Sequence, residues 1–111
     1  MLEGIYIFDL DGTLADASHR IHLIQNQPRQ WDEFYKQSRF DAPIVETLYT
    51  LQALYQAGNN IWIWTGRSTA VRDITEEWLM KNNVHYDQLL MRQEKDRRQD
   101  YQVKQEWLSK P

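Results

Sequence analysis

The sequence has no cysteine. That excludes a disulfide scaffold, a thiolate zinc site and a cysteine nucleophile, and it suits a reducing cytosol, so a cytoplasmic protein is expected. Glycine and proline are scarce, at 4 and 3 residues, which argues against collagen-like and low-complexity chains. Basic charge is not in excess: 13 Lys and Arg face 16 Asp and Glu, a net charge of −3. A protein that coats nucleic acid through overall positive charge is therefore not expected, although a local basic patch is compatible with this balance. No apolar run approaches the roughly 20 residues of a membrane span. Met1-Leu2-Glu3-Gly4-Ile5 has neither the basic start nor the apolar stretch of a signal peptide.

What is present is ordinary globular composition. Hydrophobic residues make up 41% and charged residues 26% of 111 residues, enough to bury a core in one domain spanning 1–111. Five Trp is many for this length. Packing is the usual reason, and a stacking platform the rarer one.

Ile5-Tyr6-Ile7-Phe8 reads as a short strand running into the turn signal Asp9-Leu10-Asp11-Gly12-Thr13. Residues 17–43 are polar and irregular, with two short helices expected on either side of Pro28. Ile44, Leu48, Leu51 and Tyr55 recur at helical spacing, with Pro43 at the start and Gly58 where a left-handed C-cap belongs. Ile61-Trp62-Ile63-Trp64 reads as a strand covered on both faces and closed by Thr65-Gly66-Arg67. A helix follows on Val71, Ile74, Trp78 and Leu79, capped by Ser68 or Thr69. Leu89-Leu90-Met91 suggests a third strand, and 100–109 a last helix with Tyr101, Val103, Trp107 and Leu108 apolar. Strands alternating with helices predict an α/β fold with a parallel sheet.

Candidate chemistry gathers at the strand ends, where open α/β sheets place ligands. Asp9 and Asp11, two apart, offer oxygen ligands to a hard cation such as Mg²⁺, and an Asp can attack phosphorus as a nucleophile. An Asx turn would also explain them. Thr65 at the next strand-to-helix turn can cradle a phosphate or simply cap a helix. Lys104, Arg20 and Arg67 are surface residues by default, yet arginine is the side chain that binds phosphate bidentately. His19 and His22 lack an evident third ligand, so a histidine metal site is not expected.

Taken together, these residues resemble the haloacid dehalogenase (HAD) superfamily of phosphotransferases. Asp9-Leu10-Asp11-Gly12-Thr13-Leu14 is similar to its first motif, Trp64-Thr65-Gly66-Arg67 to its second, and Lys104 preceded by Asp100 to its third. Arg20 and the run Asp96-Arg97-Arg98-Gln99-Asp100-Tyr101-Gln102-Val103-Lys104 most resemble the 3′-phosphatase domain of phage-type polynucleotide kinases and their free-standing phage relatives.

The resemblance implies a Rossmann-like three-layer fold with a small helical cap insertion at about 17–43. It implies a Mg²⁺-dependent phosphomonoesterase working through an aspartyl-phosphate. Asp9 would be nucleophile and metal ligand. Asp11 would be general acid and base, giving its backbone carbonyl to the metal. Thr65 would hold the phosphoryl group, and Lys104 would neutralise charge. Arg20, Gly66 and Arg67 would bind substrate or order the site, with Asp100 in support. The substrate would be a phosphorylated small molecule, a nucleotide or a nucleic-acid 3′ end, and no membrane is implied. In the cap, His19, Arg20, Trp31, Phe34, Tyr35, Lys36 and Arg39 mix basic and aromatic character. That mixture can stack bases and hold phosphates, although packing is expected to explain at least two of the three aromatics.

The superfamily's fourth motif, an acidic pair on a further strand, has no room between Lys104 and Pro111. A C-terminally shortened fold is therefore expected, with weak metal binding and residues 5–8 left as an apolar edge. A second copy of the chain, an exchanged strand or a partner protein would cover that edge. The competing expectations are a truncated version of a longer active chain, and a weakened or inactive HAD-fold module that binds a partner protein or nucleic acid.

Overall fold

The computed structural model describes residues 4–109. Three parallel strands form its sheet: β1 (Ile5–Phe8), β4 (Asn60–Ser68) and β5 (Gln88–Arg92), in the order β1-β4-β5. Between β1 and β4 run β2 (Ala15–Asp16), α1 (His22–Gln25), α2 (Trp31–Lys36), β3 (Ala42–Pro43) and α3 (Val45–Gln56). Helix α4 (Arg72–Lys81) joins β4 to β5, and α5 (Asp100–Ser109) follows β5. This is the expected α/β arrangement. No helix among the described residues is long and apolar enough to cross a membrane.

The central strand explains the layering. Side chains alternate along a strand, so Ile61 and Ile63 point to one face and Trp62 and Trp64 to the other. Ile61 and Ile63 are fully buried against Leu51 of α3 and against Trp78 and Leu79 of α4. Trp64 meets Trp107 of α5 edge to face at 5.7 Å. Helices therefore cover both faces, which gives three layers.

Helix α3 turns slightly from its expected face. Leu54 packs on the core, whereas Tyr55 is exposed and stacks on His85 at 4.8 Å. Pro43 belongs to β3 rather than to the first helical turn. Gly58 has φ of +93°, the left-handed cap expected of it. In α5, Val103 and Trp107 pack while Tyr101 and Leu108 face outward.

Strand β4 is longer than its apolar run. Thr65, Gly66, Arg67 and Ser68 continue it, with a register irregularity between Thr65 and Ser68. Such an irregularity re-aims side chains near a strand end. The cap insertion is pinned at its base by the antiparallel pair β2–β3, Ala15 to Pro43 and Asp16 to Ala42. Strand β1 pairs only with β4 among the described residues. Ile5, Tyr6 and Ile7 are about half exposed, the open edge that the sequence led us to expect.

Candidate active site

The turn after β1 is built around a single carbonyl. Leu10 O accepts from the backbone N–H of Thr13, Leu14 and Ala15, at 3.2, 2.8 and 2.9 Å. Gly12 makes the curl possible at φ of +81°, and the fully buried Leu10 and Leu14 anchor it. The turn leaves Asp9 and Asp11 lining a cleft of about 610 Å³, which Thr65 and Gly66 at the end of β4 also line.

Lys104 reaches this floor from α5. Its Nζ lies 3.1 Å from Asp9 Oδ1 and 3.1 Å from Asp100 Oδ2. Burial disfavours the ammonium charge, but the hydrogen bonds to Asp9 and Asp100 outweigh it and hold the Lys104 pKa above the ordinary value. Asp9 Oδ1 also accepts from the Leu10 N–H at 2.8 Å. Asp9 Oδ2 has no partner among the described residues. Thr65 Oγ1 accepts the Arg67 N–H at 3.1 Å, so its own proton stays free to donate to an anion in the cleft. The structure thus brings Asp9, Asp11, Thr65, Asp100 and Lys104 together.

Arg20 and Arg67 are placed differently from groups that reach into the cleft. Both are almost completely buried. Asp11 Oδ1 accepts from Arg20 Nη2 at 2.8 Å, and from Arg67 Nη2 and Nε at 2.7 and 3.0 Å. Of the two roles the resemblance offers, ordering the site is the one these bonds describe. Burial opposes the Arg20 charge, but the bond to Asp41 and the charges of Asp11 and Asp41 keep its pKa above the ordinary value.

Asp41 is the residue that sequence reasoning missed. It stands at the end of the cap, with its side chain fully buried. Its Oδ2 accepts from Arg20 Nη2 at 2.8 Å and Arg67 Nη2 at 3.1 Å. Its Oδ1 accepts from Arg20 Nε at 2.9 Å and lies 2.7 Å from His19 Nε2. Its backbone carbonyl accepts the Trp78 indole N–H at 2.8 Å. Two guanidiniums thus sit between two carboxylates, and α4 helps hold the set through Thr75 and Trp78.

The cap aromatics divide. Phe34 is buried, with the Arg20 guanidinium 4.4 Å from its ring centre. Trp31 and Tyr35 lie stacked at 6.0 Å, with planes 29° apart, and line the cleft together with the buried Phe34 and residues of the β5–α5 loop.

The donor set suits a hard cation. Asp9 presents a partly exposed carboxylate with one unengaged oxygen, and Asp11 adds a backbone carbonyl at the same turn. Mg²⁺ takes oxygen ligands and keeps several waters. No group of three His, Cys, Asp or Glu residues of metal-binding arrangement exists among the described residues.

A parallel sheet with two carboxylates and a hydroxyl at its strand ends, and a lysine that meets one carboxylate from the last helix, is the arrangement of a HAD-superfamily phosphatase-type domain. Residues 3–111 match the family model described as the polynucleotide kinase PNKP phosphatase domain, and the chain belongs to that family. It is 30% identical to a chain of the Pnkp1/Rnl/Hen1 RNA repair complex, with a TM-score of 0.76, over 96% of this chain and 30% of that one. A Vibrio cholerae protein is 26% identical, with a TM-score of 0.54, over 79% of this chain and 68% of its own. The class C acid phosphatase of Bacillus anthracis, with tungstate bound, shares the fold at 16% identity and a TM-score of 0.69, over 100% of this chain and 50% of its own. No curated protein matches the sequence. The chain thus spans about a third of the length of the RNA repair protein it resembles.

Proposed function

We propose that this domain is a Mg²⁺-dependent phosphomonoesterase acting through Asp9, with a nucleic-acid 3′-phosphate or a nucleotide as substrate. The observation that carries the reading is that Asp9 and Thr65 line one cleft and that Lys104 pairs with Asp9. A carboxylate oxygen is free there, an ammonium lies 3.1 Å from its partner oxygen, and a hydroxyl can donate.

Phosphoryl transfer is governed by positioning and by fixed positive charge around the equatorial oxygens. Asp9 Oδ2 attacks phosphorus in line, and the bond from phosphorus to the leaving oxygen breaks. Asp11 gives that oxygen its proton. Thr65 Oγ1 and Lys104 Nζ take up charge on the transferring group. Asp11 then removes a proton from water, which displaces phosphate and restores the Asp9 carboxylate. A cation held by the Asp9 carboxylate and the Asp11 carbonyl would add positive charge at the phosphoryl oxygens. Arg20 and Arg67 hold Asp11 through Oδ1, which leaves Oδ2, without a partner among the described residues, for the proton transfer.

The similarity to a chain of an RNA repair complex supports the nucleic-acid substrate. The open β1 edge supports a reading in which another chain pairs there, and solution mass across a concentration series tests it. The central test is phosphate release from a 3′-phosphorylated oligonucleotide with Mg²⁺. Wild-type turnover, falling roughly a thousandfold or more in Asp9→Asn, is expected. Equal rates in both proteins overturn the assignment.

A further inference from the structure

Four arginines border the cleft: Arg29 from the cap, and Arg92, Arg97 and Arg98 from the end of β5 and the loop beyond it. Two are engaged in holding that loop. Arg98 Nη2 lies 2.6 Å from Asp96 Oδ2 and 3.1 Å from Glu106 Oε2. Arg92 donates to the Gly66 carbonyl at 2.9 Å and to the carbonyls of Asp96 and Arg98. Arg29 and Arg97 make no ion pair among the described residues, and both are exposed.

Arg29 comes from the cap and Arg97 from the loop after β5. Both also border a shallow hollow beside the cleft, as does Trp31, so they mark the junction of the two. Asp32 and Glu33 border the hollow as well, which disfavours a phosphate anywhere there except between the guanidiniums. The Trp31–Tyr35 pair lines the same cleft as Asp9 and Thr65. An aromatic surface and a phosphate site in one cleft, with cations that make no ion pair among the described residues where it joins the hollow, suit a base and a phosphodiester of a single strand. Base–aromatic stacking accepts any base.

We propose that Trp31 and Tyr35 receive the base of the nucleotide that bears the reacting phosphate, and that Arg29 and Arg97 hold the phosphodiester one nucleotide upstream. The site then selects a strand end over a free mononucleotide. This rests on the reading of Asp9 as the group that meets the phosphate.

The test compares three substrates with Mg²⁺: thymidine 3′-monophosphate, a 3′-phosphorylated dinucleotide, and the same dinucleotide with an abasic terminal residue. The dinucleotide is expected to have a kcat/KM roughly tenfold above the mononucleotide, through charge-assisted contacts to its phosphodiester. The double variant Arg29→Gln with Arg97→Gln removes that advantage and leaves the mononucleotide rate unchanged. Trp31→Ala lowers kcat/KM on the order of tenfold to a hundredfold for base-bearing substrates, and leaves the abasic one unaffected. A double variant that keeps the advantage, or a wild type that cleaves the mononucleotide with no gain from length, overturns the subsite and leaves the phosphatase reading standing.

A readout without turnover separates the two ideas further. Fluorescence anisotropy of a labelled 3′-phosphorylated hexanucleotide gives affinity against salt. The double variant is expected to bind about tenfold more weakly and to flatten the plot of log K against log salt by about 0.7, the value of one phosphate contact on a single strand. Such weakening in a protein without turnover supports the subsite and sinks the phosphatase reading. Unchanged affinity and slope sink the subsite.

Discussion

Gly66 leaves the space that the Asp100 carboxylate occupies: a Cβ at position 66 would overlap Asp100 Oδ1. Asp100 in turn holds Lys104, whose Nζ lies 3.1 Å from its Oδ2. The glycine thus permits a close approach, and what it admits orders the lysine of the site. Asp100 is half exposed and can swing away, so a methyl at 66 should disturb the site more than the fold. Gly66→Ala is expected to lower kcat about tenfold, as for one charged hydrogen bond, with a thermal midpoint within a few degrees of wild type. A loss of stability without a change in kcat would contradict this.

Asp41 balances two buried guanidiniums. Removing one partner of a buried ion pair leaves charge without compensation, at a cost of about 3–5 kcal/mol. Asp41→Ala is therefore expected to destabilise the domain by that order in urea unfolding. Arg20 and Arg67 would then have only Asp11 as a carboxylate partner among those now bound. Asp41→Asn, which keeps the shape, is expected to fall between. A near-neutral Asp41→Ala would mean that the network is not a structural hub.

Asp9, Asp11 and Thr65 were legible because each lies at or near the end of a strand, and because Asp9-Leu10-Asp11-Gly12-Thr13 and Thr65-Gly66-Arg67 are local signals. Periodicity marked α3, α4 and α5 for the same reason: one buried stripe per helix. Asp41 carries no such signal. It is one carboxylate in a polar stretch, and its role arises only when the β2–β3 pair folds the cap back over Arg67, 26 residues away. The two-residue strands of that pair are too short to show alternation. Thr65–Ser68 reads as a turn in sequence because Gly66 and the polar side chains hide the fact that β4 continues through it. Nor could the buried Phe34 be told from the more exposed Trp31 and Tyr35 without knowing that Arg20 sits over its ring.

The left-handed turn at Gly58 offers a test of the fold apart from the site. At φ of +93°, any side chain meets its own backbone. Gly58→Ala is expected to destabilise by about 1 kcal/mol in urea unfolding with an unchanged slope. Nothing in the cleft should move, so substrate KM is expected to stay constant. A stabilised variant would place the helix end elsewhere.

The loop between β5 and α5 depends on Asp96. Its carboxyl is held at about 2, below the ordinary 3.8, first by the hydrogen bond from the Arg98 side chain and then by that from the Arg98 N–H. A depressed carboxyl stabilises the fold above its unfolded value, and that contribution disappears as pH falls through the folded one. The difference in thermal midpoint between wild type and Asp96→Asn is therefore expected to be constant above about pH 5, to shrink below 3.8 and to be mostly lost by about pH 2. Both partners lie near the surface, so added salt should reduce the difference as well. Because the loop leads directly into Asp100 and Lys104, the same variant is expected to raise KM for a phosphorylated substrate at neutral pH. A difference that persists unchanged to pH 2 would show that Asp96 acts through shape and not through charge.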